Sequence, residues 1–438
     1  MDMRRERDRL VTRDVALVMA AAFCFFAANM LVTPLMAGYS ESLGATGAVM
    51  GLASGAMSIV SLVCRPIAGL LSDRASKRIL VGAGAALYLA SSIWYAAAAS
   101  PASLIAARML NGIGFACCSV CLATWMSMLL PLRHMGAGMG LYGTMNALAM
   151  ALGPAIGIKS QQLIGYRATF LISAALAVLM VAAVLLVRDG GRAVDTPSGG
   201  HARQQPTSSP ANSDSTPRTA RRPAGASPSD DANSTPEASS VSVPRRILRA
   251  IVEPRVVPLA LVFMLFALPY FANQSFLVTY VGARHLHVEA SLFFPLYAAA
   301  LFVLRLAMRD LFDRWGFRRF LVCCSVCLLG MLACLTVMTN DWVMLAAGIL
   351  TAASYGIMSS VTQSQAVLIA GRERSGIANS TYYIGIDLGM SLGPLIAGFL
   401  YEHAPIAWFY PTMMLVVPAA LALYAVSAHV IHAHDARE

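Results

Sequence analysis

The chain has 438 residues, of which 58% are hydrophobic and only 12% are charged, and its mean hydropathy is +0.65. Soluble domains carry roughly 25% charged residues, so the composition excludes a water-soluble enzyme, a disordered chain and a disulfide-stapled scaffold as starting interpretations. The formal net charge of +10 does not indicate nucleic-acid binding, because the basic residues form no face of a folded domain in the sequence pattern.

Long apolar segments, each bounded by Pro, Gly or charged residues, recur twelve times along the chain. A membrane-spanning helix needs roughly 20 apolar residues to cross a hydrocarbon core of about 30 Å. Lipid offers no partner to backbone N–H and C=O groups, and the connecting segments do not suit a closed barrel, so the spans must be helices. The predicted fold class is therefore an all-α integral membrane protein with twelve transmembrane helices. The spans are predicted at residues 14–37, 47–71, 79–99, 102–130, 138–159, 166–187, 256–283, 290–311, 319–338, 341–370, 377–401 and 405–428.

Lys and Arg residues are distributed unequally between the two sets of connecting loops. With the amino terminus placed in the cytoplasm, all but six of the 32 Lys and Arg residues fall on the cytoplasmic side. This bias follows the positive-inside rule, so both chain ends are predicted to face the cytoplasm. The six exceptions are Lys159, Arg167 and Arg284 in outer loops and Arg65, Arg108 and Arg305 within spans.

Composition divides the chain into five parts. Residues 1–13 form an arginine-rich cytoplasmic amino terminus, and residues 429–438 form a cytoplasmic tail. Two bundles of six predicted spans cover residues 14–187 and 256–428. Between them, residues 188–255 are rich in Ser, Pro, Thr, Ala, Asp and Arg, which predicts a disordered cytoplasmic linker.

The two halves of the chain repeat at an offset of 240 residues. Positions related by this offset form the same motifs: Arg65 and Arg305, Asp73 and Asp313, Arg74 and Arg314, Arg78 and Arg318, Gly153-Pro154 and Gly393-Pro394. A parallel duplication of two six-span halves places a solute site between the halves, near the bilayer midplane. On these motifs the chain resembles the major facilitator superfamily, and the resemblance implies the fold of that family, two pseudo-symmetric six-helix bundles.

The segment after the second span, RPIAGLLSDRASKR, resembles the family's loop motif Gly-x-x-x-Asp-Arg-x-Gly-Arg-Arg. The matching residues are Gly69, Asp73, Arg74, Lys77 and Arg78, with Asp313, Arg314 and Arg318 in the second copy. The resemblance implies a cytoplasmic gate, in which Asp73 accepts from the free N–H groups at the start of span eleven, near Gly376 to Asn379. We expect close backbone approach at Gly69. The alternative is a set of topology-fixing charges, which does not require an aspartate in each copy.

Asp387 is a carboxylate in the middle of a predicted span, far from either end of span eleven. Low-dielectric surroundings favour the neutral carboxyl group, so this residue is suited to bind and release a proton. Tyr383 lies one helical turn earlier on the same side and is expected to hydrogen-bond to it. The repeat partner of Asp387 is Ala147, so the duplication does not account for the acid. The alternative is a neutral acid that bonds across helices.

Arg108 is a second ionisable residue within a span, and its repeat partner is Gly348. The run Arg108-x-x-x-Gly112 resembles the fourth-span motif of proton-linked exporters, and the resemblance implies that the arginine tunes the protonatable site. Alternatively, the side chain of Arg108 reaches the outer membrane interface, because the residue lies close to Pro101 at the end of the span.

Spans five and eleven carry Gly-Pro motifs. Their residues are Gly153, Pro154 and Gly157 in span five and Gly389, Gly393 and Pro394 in span eleven. Small residues let helices approach closely, and proline permits a bend. The span-five motif resembles the antiporter signature of the family, which implies export, although Ala149 and Ile158 replace two of its glycines.

Polar and aromatic residues in spans one, four, seven and ten are predicted to line a central substrate cavity. These residues are Asn29, Asn111, Phe115, Tyr270, Asn273, Gln274, Thr351, Tyr355 and Met358. Helix packing is the alternative role for the aromatic members.

No cofactor or metal ion is predicted. The nine cysteines all fall within spans, where they suit helix packing better than zinc binding or disulfides. The sequence shows no phosphate-binding loop and no nucleophile elbow, so ATP-driven transport and hydrolysis lack support. The predicted partners are membrane lipids, protons and a small organic substrate, with no nucleic acid, and we expect a monomer.

These features predict a proton-coupled secondary transporter, not an enzyme, in a bacterial inner membrane. The predicted activity is export of a small organic compound, a drug or a metabolite, by alternating access. One alternative is a proton-linked importer of an organic anion, with Arg108 as the ligand anchor. The other is a non-transporting membrane sensor that uses the linker at residues 188–255 as an interaction arm.

Overall fold

A computed structural model describes residues 12–130, 135–188, 252–308, 311, 314–371 and 374–431. Every regular element in these ranges is helical. Eleven of the described helices are long and apolar enough to cross a membrane. Most of the predicted linker and of the carboxy-terminal tail lies outside the described residues.

The amino-terminal half begins with four helices: α1 (Arg13–Ser42), α2 (Gly47–Arg74), α3 (Lys77–Ala97) and α4 (Pro101–Leu129). The next helix, Met135–Leu186, has two arms, which we number α5 (135–164) and α6 (166–186). The carboxy-terminal half comprises α7 (Val257–Ala283), α8 (Ala290–Ala307), α9 (Phe317–Thr336), α10 (Asp341–Ala370), α11 (Ser375–His403) and α12 (Ile406–Ala428).

Gly165 separates the arms α5 and α6. Its φ of +79° and ψ of 172° lie outside the helical region. The Met135–Leu186 helix has 52 residues, which amount to about 78 Å at 1.5 Å per residue and exceed a hydrocarbon core of about 30 Å more than twofold. The predicted count of twelve spans therefore requires that each arm crosses the membrane separately.

Replacing Gly165 by alanine should destabilise the protein, because a side chain at positive φ costs roughly 1–2 kcal/mol. Thermal unfolding of the detergent-solubilised protein measures the loss. Gly143 in α5 is the matched control, since a methyl group there meets no atom within 4 Å and alanine is the better helix former. An equal effect of Gly165→Ala and Gly143→Ala on the unfolding temperature would contradict the expectation.

Glycines of α5 and α11 contact the first helix of their own half. A methyl group added at Gly153 would lie 2.6 Å from Cβ of Met30 in α1, and one added at Gly393 would lie 2.6 Å from the carbonyl oxygen of Leu268 in α7. Small residues at such positions let the helix backbones approach closely. The two Gly-Pro motifs thus occupy equivalent helix contacts, α1 with α5 and α7 with α11.

The ends of α1, α3 and α6 meet on one side of the molecule, which we call the terminal face. There the backbone N–H of Arg188 donates to Asp14 at 3.2 Å, and Arg78 donates to the carbonyl of Leu185 at 2.6 Å. The two halves of the chain are joined at the other side, the opposite face. Three contacts cross between the halves there: Glu402 with the backbone N–H of Ala48 at 2.7 Å, Tyr401 with Glu41 at 2.8 Å, and Lys159 with Glu289 at 3.6 Å.

Candidate functional site

Helices α2 and α11, one from each half, pack backbone to backbone near the opposite face. A methyl group added at Gly51 would lie 2.5 Å from the carbonyl oxygen of Pro394, and one added at Gly55 would lie 2.8 Å from that of Ser391. A methyl group added at Gly47 would lie 2.5 Å from the carbonyl oxygen of Gly398. Glycines at spacing four form one face of a helix, so this contact holds the two halves together at the level of these residues.

Further toward the terminal face, the same two helices carry an ion pair inside the membrane. Nε of Arg65 lies 2.7 Å from Oδ2 of Asp387, whose side chain is 1% exposed, whereas that of Arg65 is 23% exposed. The Arg65 guanidinium also lies 5.7 Å from the ring centroid of Phe115 in α4. The ion pair therefore joins the two halves of the chain, and it does so on the terminal side of the glycine contact.

The chemistry of this pair depends on the charge of Asp387. While the carboxylate is ionised, Arg65 compensates its charge, and removing one partner of such a buried pair leaves an uncompensated charge that costs about 3–5 kcal/mol. When the carboxyl takes up a proton, the attraction to Arg65 is lost. Oδ1 of Asp387 has no hydrogen-bond partner among the described residues, so it is available to a proton carrier. The pair can therefore link proton binding to contact between the halves.

The predicted hydrogen bond between Tyr383 and Asp387 is wrong for this conformation. In the described part of the chain, no hydrogen bond joins Tyr383 to Asp387. Oδ1 of Asp387 has no hydrogen-bond partner, Oδ2 faces Nε of Arg65, and the Tyr383 ring packs on Tyr382 with centroids 5.4 Å apart. Helical spacing correctly places the two residues one turn apart, but the carboxylate points toward α2, where the guanidinium attracts it.

Arg108 is buried in the protein rather than at the membrane interface. It is 1% exposed, its Nε donates to the carbonyl of Ala53 at 3.2 Å, and its Nη2 donates to that of Ser54 at 3.0 Å. The alternative that it reaches the outer interface is therefore wrong here. Arg108 does not pair with Asp387; the partner that the structure gives Asp387 is Arg65.

The nine predicted cavity residues are all buried, and the most exposed of them, Phe115 and Tyr355, reach 7%. Four of the predicted residues form hydrogen bonds within the protein: Asn29 with Tyr88 at 3.0 Å, Asn111 with Ser91 at 3.0 Å, Asn273 with Tyr410 at 2.8 Å, and Gln274 with Met30 Sδ at 3.5 Å. In this conformation the four polar side chains bond to other protein side chains, and none of the nine residues is exposed to solvent.

The carboxy-terminal half contains an aromatic stack built on α7 and α10. The rings of Tyr270 and Tyr355 are parallel within 6°, with centroids 3.9 Å apart, and Phe263 stacks on the other side of Tyr355 at 5.6 Å. Tyr355 belongs to a π-helical turn, Ala352–Gly356, and such turns are frequent at functional sites. Thr351 and Met358 flank this turn and are fully buried.

Lys77 and Gly69 are two gate residues of the terminal face that the structure describes. Lys77 is 2% exposed at the start of α3, and a methyl group added at Gly69 meets no atom within 4 Å. The predicted close approach at Gly69 is therefore wrong here. Near the start of α11, Asn379 accepts instead from Gln363 of α10 at 3.2 Å.

The remaining gate residues differ in how far the structure describes them. The side chains of Asp73 and Arg74 and the whole of Asp313 lie outside the described residues. Arg314 and Arg318 are exposed. The part of the chain that is described contains no cluster of three or more metal-binding side chains.

Sequence reasoning missed the two features that define this site. The sequence shows Arg65 as an intramembrane arginine, as the first residue of the segment that carries the loop motif and as the repeat partner of Arg305, and its partner Asp387 is more than 300 residues away. An intramembrane cation needs an anion, and this requirement could have paired the two. The spacing of Gly47, Gly51 and Gly55 was a second unused signal, because small residues at spacing four are typical of membrane helix contacts.

Two helical halves that span a membrane, joined at one face and bridged inside by an ion pair, define a polytopic membrane transporter. The sequence profile of the Major Facilitator Superfamily matches residues 18–337 and 289–436, and the chain belongs to this family. The predicted family is thereby confirmed.

Relatives align with roughly a third of the chain. An uncharacterized MFS-type transporter of Methanocaldococcus jannaschii is 26% identical over 32% of this chain and 36% of its own length. The human synaptic vesicular amine transporter is 33% identical over 33% of this chain and 28% of its own length. Quinolone resistance protein NorA of Staphylococcus aureus is 23% identical over 38% of this chain and 43% of its own length. The alignments thus span less than half the length of these relatives.

Solved structures with the same fold cover nearly the whole chain. The nucleoside transporter NupG superposes with a TM-score of 0.68 at 11% identity and covers 96% of this chain and 99% of its own. A bacterial homologue of the human lysosomal transporter Spinster, in an inward-facing and unoccupied conformation, superposes with a TM-score of 0.64 at 14% identity and covers 96% of both chains. At these identities the likeness establishes the fold alone.

Proposed function

We propose that this chain is a twelve-span secondary transporter of a bacterial inner membrane that exports a small organic compound in exchange for protons. Both chain ends lie in the cytoplasm, which makes the terminal face the cytoplasmic one. The observation that carries the proposal is the ion pair between Arg65 and Asp387, because a single proton on Asp387 would change the contact between the two halves. Partial similarity to a quinolone resistance protein supports export of a drug or metabolite.

The proposed cycle uses the two contacts between α2 and α11 in turn. With Asp387 ionised, Arg65 and the glycine contact hold the halves together and keep the opposite face closed. When bound substrate carries the chain to the state open at the opposite face, α2 and α11 separate and Asp387 takes up a proton from that side, which removes the charge that binds Arg65. The protonated chain returns to the state open at the terminal face, and release of the proton to the cytoplasm restores the pair. Substrate and proton therefore cross the membrane in opposite directions, because each drives one of the two opposite transitions.

The gate motif acts in the step of the cycle that closes the terminal face. When the terminal face closes, Asp73 would accept from the N-terminus of α11, where the helix dipole is positive. Arg74, Arg78 and the second-copy residues Asp313 and Arg314 would complete the latch. Arg78 now donates to the carbonyl of Leu185, and it would exchange this partner for a carboxylate or a lipid phosphate.

Everted membrane vesicles test the direction of transport and its coupling. Respiration acidifies their lumen, and addition of an exported substrate should dissipate the proton gradient, which a pH-sensitive dye reports. Candidate substrates come from a ligand-induced thermal-shift screen of the purified protein. Substrates that stabilise the protein but leave the gradient unchanged would contradict proton exchange.

Import of an organic anion is a second candidate function. Its supporting observation is Arg108, whose buried Nη1 has no hydrogen-bond partner among the described residues and could bind a carboxylate. Uptake of a labelled organic acid into intact cells, lost in Arg108→Gln, would favour this function over export.

A further inference from the structure

Three serines of α2 bury hydroxyl groups that bond neither to their own helix nor to another described residue. Ser54, Ser58 and Ser61 are 4%, 1% and 0% exposed, and no Oγ atom of the three has a hydrogen-bond partner in the part of the chain that is described. A buried hydroxyl in a membrane helix commonly bonds to a carbonyl one turn earlier, as Ser427 does to Leu423 at 2.7 Å. We call these three residues the serine stripe.

Arg108 explains why the middle serine does not bond within its own helix. Its Nη2 donates at 3.0 Å to the carbonyl of Ser54, which lies one turn before Ser58 and is the acceptor that the Ser58 hydroxyl would otherwise use. Nη1 of Arg108 is also buried without a partner among the described residues. Several unpaired polar groups therefore accumulate along one short stretch of α2.

The serine stripe lies in the seam between α4 and α11. At 100° per residue, the three serines fall within about 60° of one another, in line with Arg65. On one side of the stripe, Gly55 contacts the backbone of α11. On the other side, a methyl group added at Gly112 of α4 would lie 2.5 Å from the carbonyl oxygen of Met57. The hydroxyl groups therefore face the centre of the molecule, where Asp387 lies.

The second half of the chain fills the equivalent stripe with apolar side chains. At the offset of 240 residues, the three serines correspond to Phe294, Ala298 and Leu301 of α8, whereas Arg65 corresponds to Arg305. The serines occur only in the amino-terminal half, whose helix α2 binds Asp387 through Arg65. The fold itself does not require them, because α8 does without them.

We propose that the serine stripe holds a chain of water molecules through which Asp387 exchanges its proton with the opposite face. This inference rests on the proposed proton coupling. Buried polar groups without protein partners are generally satisfied by ordered water. The stripe is about 10 Å long, a distance that a few waters at hydrogen-bond spacing of about 2.8 Å would bridge. In each uptake from the opposite face, an O–H bond of the protonated water beside Asp387 breaks as the O–H bond of Asp387 forms, and the attraction of the carboxylate to Arg65 is lost.

Arg108 has a defined role at the far end of this chain of waters. Its buried positive charge repels an excess proton, as arginine does in water-selective pores. The proton therefore passes only when the halves move and Arg108 is rehydrated. Together, Arg65 and Arg108 confine the exchangeable proton to the serine stripe that lies between them.

Hydrogen–deuterium exchange of the Asp387 carboxyl tests the inference. Infrared spectroscopy of the full-length protein in liposomes follows the carboxyl C=O band that is lost in Asp387→Asn. In the double variant Ser58→Ala/Ser61→Ala, exchange of this band should slow at least tenfold. Ser58→Thr/Ser61→Thr keeps both hydroxyls and should exchange at nearly the wild-type rate. Ser427→Ala, which removes a buried hydroxyl that is bonded within its own helix, should have no effect.

The possible results separate the two proposals. An Asp387 band that exchanges as fast in the alanine double variant as in the wild type would overturn the water chain and leave proton coupling intact. Absence of any Asp387-dependent carboxyl band across the working pH range would overturn both. If the alanine double variant does not elute as a single species in size-exclusion chromatography, Ser58→Ala is measured alone, and it should also slow the exchange of the Asp387 band.

Discussion

Asp387→Asn is expected to abolish proton-driven transport while leaving substrate exchange without a gradient intact. Asparagine has the shape of aspartate and still offers an oxygen to Arg65, but it cannot carry a proton at physiological pH. Accumulation driven by a pH gradient should fall at least 100-fold in proteoliposomes. Counterflow, in which labelled substrate exchanges for unlabelled substrate at equal pH, should stay within a few-fold of the wild-type rate.

Glu253 provides the matched control for this prediction. It is also a buried carboxylate paired with an arginine, since Oε2 lies 2.6 Å from Nη1 of Arg374 and its side chain is 3% exposed. Glu253 lies at the end of the predicted linker and packs on the carboxy-terminal half, where its backbone N–H donates to Thr381 at 2.8 Å, so this part of the linker is ordered and the ion pair does not bridge the halves. Glu253→Gln should lower thermal stability but keep proton coupling. Loss of coupling in both variants, or in neither, would show that the bridge between the halves is not the coupling element.

The positions of the helices could be predicted from the sequence because bilayer thickness sets their length. Span ten was predicted at residues 341–370 and is Asp341–Ala370, and span two was predicted at 47–71 and is Gly47–Arg74. Span one was predicted too short. The structure continues it to Ser42, and a 3-10 turn at Thr33–Leu35 accommodates Pro34 within the span.

The arrangement of the site could be predicted only in part. Asp387 stands out in the sequence because it is a charge in an apolar helix, and the structure places it at the interface between the halves. Its partner depends on which face of α2 meets α11, and hydropathy does not determine that choice. Arg108 is expected to tune the protonatable site, and the structure binds it to backbone carbonyls of α2. Pairwise geometry between distant segments is a tertiary property, whereas the presence of an intramembrane charge is a local one.

Gly51→Val is expected to prevent closure of the opposite face. The nearest atoms to an added methyl group are backbone atoms of α11, the carbonyl oxygen of Pro394 at 2.5 Å and Cα of Leu395 at 3.1 Å. Rotation of a side chain cannot relieve a clash with backbone, so α2 and α11 must separate. Overpacking of this kind costs roughly 1–3 kcal/mol, and about 1.4 kcal/mol shifts an equilibrium tenfold. Transport should therefore fall about tenfold or more in proteoliposomes.

Closure itself can be measured by cross-linking across the opposite face. The backbone N–H of Ala48 lies 2.7 Å from Oε2 of Glu402. Residues 48 and 402 are therefore neighbours across this face, and cysteines introduced by Ala48→Cys and Glu402→Cys in a background without native cysteines should be joined by a short bifunctional thiol reagent. Gly51→Val should reduce this cross-link about tenfold. Gly82→Val in α3 is the control, because a methyl group there meets no atom within 4 Å. If Gly51→Val cross-links as efficiently as Gly82→Val, the glycine contact yields easily and closure of the opposite face does not depend on it.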